Sequence, residues 1–454
     1  MVSIWEVAKR AETGPIFFEK EFDVEVLPSK LMELIKQYDI KYDPNEIVPS
    51  DNRLADNLFN AGLELFLNIG IHCYDTDRLI KFDESEVKSA LKKTPSKAIL
   101  GEGKDAVTIF ARKISDKRPP IIIGGPYGVP TSAEVWEKIN LSYATEPLID
   151  ILCSGTLPTI EGIQPKIESP IAIKAAQLRL AWAREVIKEA KRPGMPLCGP
   201  GGLRAISEMF ESKPDGMRKC DIRAVPLNSE LKTNYDLLTK TVHFLEYGGS
   251  IMPLFVTMLG GYAGGPEGCA IVGVASHLAA LLAYHGHSNM MGVHHMRYQC
   301  RTTRECFWVW DVVGQAISRN TNLIQWASLN AAAAGPCTDM LLYEAAAFAC
   351  ATTPCGWNPA GIGSAGGAQY DRATPVEVKL MAEVAHSTIG LKREDSNELV
   401  KEILKLYEDR LGNPPLGKSF QECMDMTTLK PTEEHRKIYT KVREQLKNIG
   451  LELT

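Results

Sequence analysis

The chain has no Cys-x-x-Cys pair, no GxxxxGK[ST] phosphate loop and no block of like charge. The first absence excludes a disulfide scaffold, so the 11 cysteines scattered through 454 residues read as reduced thiols. The second removes the P-loop nucleotide hydrolases. The third, with a formal net charge of -5, argues against nucleic acid or an acidic membrane surface as a partner. The start, Met1-Val2-Ser3-Ile4-Trp5-Glu6-Val7-Ala8-Lys9-Arg10, places charge where a signal peptide needs an apolar core. No later stretch reads as apolar over the ~18 residues of a membrane span. A cytoplasmic protein with no membrane partner is expected.

What is present is a large core and an alternating pattern. Hydrophobic residues make up 44% of the chain, close to the globular norm. Residues up to about 70 read as amphipathic helices. From about 98 onward, short apolar or β-branched runs at 120–125, 148–155, 195–198, 222–226, 251–256 and 292–296 alternate with helical stretches at 171–191, 229–247, 268–283 and 304–319. Such alternation implies right-handed βαβ units and a parallel sheet. It continues over ~250 residues, enough for closure as a (β/α)8 TIM-type barrel. The expected organisation is an N-terminal helical extension over 1–95, the barrel over 96–370, and a C-terminal helical segment over 371–454.

One stretch stands at the centre of that pattern: Arg192-Pro193-Gly194-Met195-Pro196-Leu197-Cys198-Gly199-Pro200-Gly201-Gly202. A turn signal leads into a short strand that ends in a cysteine, followed by a segment of Gly and Pro. Cys198 is thereby expected at the C-terminal end of a strand, where α/β folds bind ligands. A single strand-end cysteine also reads as a small buried hydrophobe. Two further glycine-rich loops follow strands, at 124–128 and 260–265, and bare loops of this kind suit a large flat ligand or a partner's cofactor. The GxGxxG at 361–366 follows Trp357-Asn358-Pro359-Ala360 rather than a strand, and is not read as a dinucleotide fingerprint. His285, His287, His294 and His295 lie near Cys300 and Cys306, and with Cys198 they offer the N/S ligands of a zinc site, though no familiar zinc spacing appears.

Matching segments run nearly end to end with a known family: Lys104-Asp105-Ala106-Val107, Gly124-Gly125-Pro126, Arg192-Pro193-Gly194-Met195, Gly260-Gly261-Tyr262-Ala263-Gly264-Gly265, Thr303-Arg304-Glu305, Gly335-Pro336-Cys337-Thr338, Gly417-Lys418-Ser419-Phe420-Gln421-Glu422-Cys423 and Pro431-Thr432-Glu433-Glu434. On these the chain resembles the archaeal monomethylamine methyltransferases, barrel enzymes that move a methyl group to the cobalt of a corrinoid protein. The resemblance implies a corrinoid held by a cognate partner protein, a small methylated substrate and a homo-oligomer, a hexamer in that family. It places Cys198 where the family carries pyrrolysine. A thiol is a nucleophile and the family's imine an electrophile, so one cannot take the other's role.

Counting from the matching motifs, the family's glutamate falls at or beside Leu254, and its glutamine and tyrosine fall within Leu329-Asn330-Ala331. The expected site is Cys198 as the catalytic residue, a substrate pocket of Leu254, Leu329, Asn330 and His295, and a corrinoid-facing rim of Gly124, Gly125, Gly199, Gly201, Gly202, Gly261, Tyr262 and Gly264. An ammonium without a counter-charge is costly to bury there, so the resemblance with these changes implies a quaternary amine, a thioether or a methoxy compound as donor. Two alternatives stay open: a non-catalytic corrinoid-protein-binding paralogue, and a zinc-dependent barrel enzyme using Cys198.

Overall fold

The computed structural model describes residues 1–199, 204–367 and 369–453. Among these, β1 (Ile123–Gly124), β2 (Ile151–Cys153), β3 (Leu197–Cys198), β4 (Ile222–Pro226), β5 (Ser250–Leu259), β6 (Ser288–His295), β7 (Ile324–Leu329) and β8 (Asn358–Ile362) form a closed barrel. All neighbours are parallel, and β8 pairs back onto β1. Each strand is followed by a helix: α1 (Ala133–Ala144), α2 (Pro170–Glu189), α3 (Ala205–Glu211), α4 (Tyr235–Tyr247), α5 (Pro266–Tyr284), α6 (Arg304–Asn320), α7 (Asp339–Thr352) and α8 (Pro375–Ser387). This is the (β/α)8 TIM-type barrel that the alternation implies.

The six apolar runs of the sequence fall on β1 to β6, although β6 begins at Ser288, earlier than 292. Two strands escape the pattern. β7 mixes Gln325 and Ser328 with Trp326, and β8 contains Pro359 and Gly361, which read as breakers. Closure buries both faces of the sheet and makes strands of them. The GxGxxG at 361–366 therefore begins on the last two residues of a strand, where the sequence reading saw none. Helix α4 starts later than 229: Lys232–Thr233 pairs in parallel with Ile71–Cys73, and Asn234 then caps α4 by accepting from the Leu237 N–H at 2.9 Å.

Helix α5 corrects a second expectation. By length and composition it is apolar enough to cross a membrane, yet 94% of its apolar window is buried inside the fold. The cause is packing against the helix Asn52–Ile69 and against α6, the first so close that a Cβ on Gly62 would come within 2.4 Å of the Val274 Cβ. His277 is sealed in the same helix, bonded to the Gly273 carbonyl at 2.9 Å, and burial lowers its pKa to about 4.

Two apolar clusters divide the interior. The larger lies between strands and helices, and the smaller fills the barrel with Ile123, Ile151, Ile222, Met252, Met290, Ile324, Trp326 and Ala360. The N-terminal end of the barrel is plugged by the antiparallel hairpin Lys97–Leu100 and Val107–Phe110, whose Leu100 and Ile109 enter the inner cluster. Its turn is tied down by Glu102 N–H donating to the Gly194 carbonyl at 2.9 Å and by Gly194 N–H donating to Asp105 at 3.0 Å. Tyr127 covers the opposite side of this core, its ring against Gly361, where an added Cβ would lie 2.6 Å from Cδ1 and φ is +49°. Gly361→Ala thus meets both a left-handed backbone and a ring. It is expected to cost about 2 kcal/mol or more, read as a lower midpoint in thermal unfolding, while Gly412→Ala, with open space around it, leaves the midpoint unchanged.

Candidate active site

The C-terminal ends of the strands form the mouth of the barrel. Along β5, alternation turns Met252, Leu254, Val256 and Met258 inward. Met252 is fully buried, whereas Leu254, Val256 and Met258 are only half-buried. The barrel therefore opens above the level of Met252, and Leu254 packs on the inner cluster at that level.

Cys198 lies on the floor of this mouth. It is paired in register with Cys153 on β2, and both thiols belong to the inner cluster at 1% exposure. Contact with the Cys153 thiol, then burial, raises the Cys198 pKa well above the ordinary thiol value. Its thiol donates to the Gly199 carbonyl at 3.5 Å. Cys198 at neutral pH is thus a neutral thiol, a poor nucleophile. Beside the thiols, the Tyr127 hydroxyl donates to the Met290 Sδ at 3.0 Å and receives the Ser328 hydroxyl at 3.5 Å. None of the eight strands carries Asp or Glu.

The sequence reading missed the charged group of the mouth. Arg301, in the loop after β6, lays its guanidinium over Gly292, an inward position where an added Cβ would fall 2.0 Å from Nη1. Nη1 donates to the Ser328 carbonyl at 2.7 Å and to its hydroxyl at 3.3 Å. Nε has no partner, and no carboxylate pairs with Arg301 among the described residues. Burial lowers its pKa to about 10. The neighbouring residue is held by Glu344: the Thr302 hydroxyl donates to its carboxylate, as do the Ala333 and Ala334 N–H groups at 2.7 and 2.9 Å. One carboxylate from α7 therefore fixes the loops after β6 and β7 together.

Several expected positions move. Leu329 faces outward into the helix-side cluster, because β7 turns Trp326 and Ser328 inward. On β6 the inward residue is His294, in register with Met258, and His295 sits with Leu259 on the other face against Tyr298. Asn330 is half-buried at the mouth beside Gly128. Gly124, Gly125 and Gly199 are buried, the first two against Ile149 and the Cys153 backbone, where they let neighbouring chain pack closely. Gly201 and Gly202 lie outside the described residues. Gly261, Tyr262 and Gly264 stand at the rim, with Tyr262 at 49% exposure under the Lys232 ammonium and Met296, at 44%, against Gly261.

The zinc alternative loses its geometry. His287 receives the Ile251 N–H at the N-terminal end of β5, whereas His294 is near the other end of β6, roughly 20 Å along a strand. Among the described residues, no three His, Cys, Asp or Glu side chains come together as a metal site. A cavity of about 720 Å³ lies elsewhere, on the outer wall between α1, α8 and the C-terminal segment around Tyr439.

A model of the monomethylamine methyltransferase MtmB family matches residues 2–451. The chain belongs to that family. It is 34% identical over 444 residues to the monomethylamine methyltransferase MtmB1 of Methanosarcina barkeri, covering 97% of this chain and 96% of that protein. Identity to the MtmB of Methanosarcina mazei is also 34%. The crystal structure of the M. barkeri enzyme superposes with a TM-score of 0.96 at 33% identity, covering 99% of this chain and 98% of the other, and the hydroxylamine complex of MtmB superposes equally well. Family membership thus extends over the whole barrel and both flanking helical regions.

A buried carboxyl outside the mouth holds its rim. Glu230, after β4, accepts the Met258 N–H at 3.0 Å, and burial raises its pKa to about 7. A carboxyl raised in the folded state contributes stability that is complete below about 4.5 and is lost as pH rises through about 7. Glu230→Gln, which keeps the acceptor without the charge, is therefore expected to gain stability relative to the parent between pH 4.5 and 7, by on the order of 2 kcal/mol. The difference should level off above pH 7, as measured by chemical denaturation across pH. Cys198 yields a second expectation: in the native protein at pH 7.5 it resists iodoacetamide and becomes labelled only after unfolding, as read by peptide mass spectrometry.

Proposed function

We propose that this chain transfers a methyl group from a small methylated donor to a corrinoid carried by a separate protein, and that the donor is not monomethylamine. Family membership supports the reaction class. The observation that carries the donor reading is the polarity of the mouth, where two thiols, a thioether, a phenol and a buried guanidinium replace any strand carboxylate. A methylammonium entering here meets a like charge in a desolvated site, which costs several kcal/mol.

The rim fits the partner's group in part: Gly264 has open space beside it, and Tyr262 and Met296 present apolar surface next to the 260–265 turn. The partner's corrinoid, when docked, supplies a Co(I) nucleophile. The chain's own residues do the rest. Leu254, Val256 and Met258 exclude water from the donor, and Tyr127 and the Cys198 thiol orient it. As the methyl–sulfur or methyl–oxygen bond breaks, the leaving thiolate or alkoxide stands beside the Arg301 guanidinium and takes its proton from water at the mouth, so the chain contributes positioning and electrostatics. Because the Cys198 thiol keeps its proton, it does not compete with the acceptor for the methyl group. We place this activity in the cytoplasm and in a homo-oligomer.

The test is methyl transfer to Co(I)-corrinoid protein, followed by the cobalamin absorbance change, with monomethylamine beside thioether and methoxy donors. Transfer from a non-amine donor alone is expected, with Cys198→Ala lowering turnover by about 10-fold or more. Transfer from monomethylamine overturns the donor reading, and corrinoid-protein binding with no transfer from any donor favours a non-catalytic binder.

A further inference from the structure

We propose that the methyl donor carries a carboxylate, and that Arg301 binds it at the mouth of the barrel. The inference rests on the reading of the mouth as the donor site, and it adds the substrate's charge and the residue that recognises it. Three observations carry it.

The first is position. The guanidinium occupies the inward side of β6, since an added Cβ on Gly292 would meet Nη1 at 2.0 Å, Cζ at 2.6 Å and Nη2 at 3.0 Å. Gly292 pairs in register with Val256, one of the half-buried residues that line the opening. Arg301 thus lies beside the space that a donor would enter, above the Tyr127 and Met290 floor.

The second is incompleteness. Arg301 is 4% exposed, its Nη1 is used on Ser328, and its Nε is left without a partner. Glu344, the buried carboxylate that holds the adjacent Thr302, is already taken by Thr302, Ala333 and Ala334. A buried guanidinium without a counter-charge is destabilising, and its planar fork of donors matches a carboxylate in geometry as well as charge. The fold maintains this arrangement at some cost, with a glycine beneath the guanidinium and a clamp on the neighbouring residue.

The third is the character of what surrounds the charge. The Tyr127 hydroxyl, the Met290 thioether and the Cys153 and Cys198 thiols are neutral and soft. They suit the uncharged methyl-bearing end of the donor, a methylthio or methoxy group, while Arg301 takes the charged end. An ammonium donor is disfavoured by the same guanidinium.

The experiment is equilibrium binding to the full chain without the corrinoid protein, by isothermal titration calorimetry. The probes are (methylthio)acetate and methoxyacetate, their primary amides, and methylammonium. Either acid is expected to bind at least 10-fold more tightly than its amide and than methylammonium. Arg301→Gln should weaken the acid by about 10- to 100-fold and the amide little, with Arg301→Lys in between. Equal binding of acid and amide by the unaltered protein, no binding of either acid at millimolar concentration, or unchanged acid binding by Arg301→Gln overturns the proposal. The acid-to-amide comparison needs no variant, so misfolding of the substituted chains does not blunt it. Arg301-dependent acid binding without methyl transfer to Co(I) sinks the methyltransferase reading and leaves the anion site standing. Transfer from uncharged or cationic donors alone does the reverse.

Discussion

A single buried charge organises the mouth of this barrel. The Arg301 guanidinium is held inside a parallel sheet, over a glycine, with Ser328 as its hydrogen-bond partner and, among the described residues, no carboxylate paired with it. Such a placement requires everything near it to be fixed, because a mobile loop would release the charge to water. The fixing comes from Glu344, which ties the loops after β6 and β7 to α7, and from Tyr407, whose hydroxyl donates to the Thr302 carbonyl at 2.7 Å. The C-terminal helical region thereby reaches the residue next to Arg301, and it braces the same loops through Glu408 on Arg304 and the Gly335 N–H on the Pro415 carbonyl.

Below that level the barrel is a packed core, and above it the barrel opens. The change occurs within β5, between Met252 and Leu254, and it follows from the filling of the lower barrel by Trp326, Met290 and the plugging hairpin. Cys198 sits at the boundary. Its neighbour in register is another thiol, so its proton is held by contact and burial together. A neutral thiol at that boundary is compatible with a site that orients a neutral methyl group and leaves the chemistry to the acceptor.

Much of the architecture was legible in the chain. Six of the eight strands announce themselves as short apolar runs, and the motif around Cys198 correctly reads as a strand delivering a thiol toward the ligand-binding end. β7 and β8 were hidden because Gln325, Pro359 and Gly361 break the local pattern, and only burial on both faces explains them. Leu254 was reached by counting back from the 260–265 motif to the family's glutamate, and the structure places it on the inner side of β5. The outward position of Leu329 did not follow from such counting, because the family offset carries no facing, and alternation on β7 turns Trp326 and Ser328 inward and Leu329 out. Adjacent His294 and His295 illustrate the same limit: alternation says they face opposite ways, and only the barrel says which one faces in.

The sequence by itself determined the fold class, the family and the residue that stands at the end of β3, since these depend on local periodicity and on motifs contiguous in the chain. The tertiary structure alone decided the charge of the site. Arg301 lies in an unremarkable polar stretch, 103 positions along from Cys198, and becomes significant only when closure of the barrel brings Gly292, Ser328 and Tyr127 around it. Desolvation is a property of the surroundings in space, and no single stretch of chain contains them.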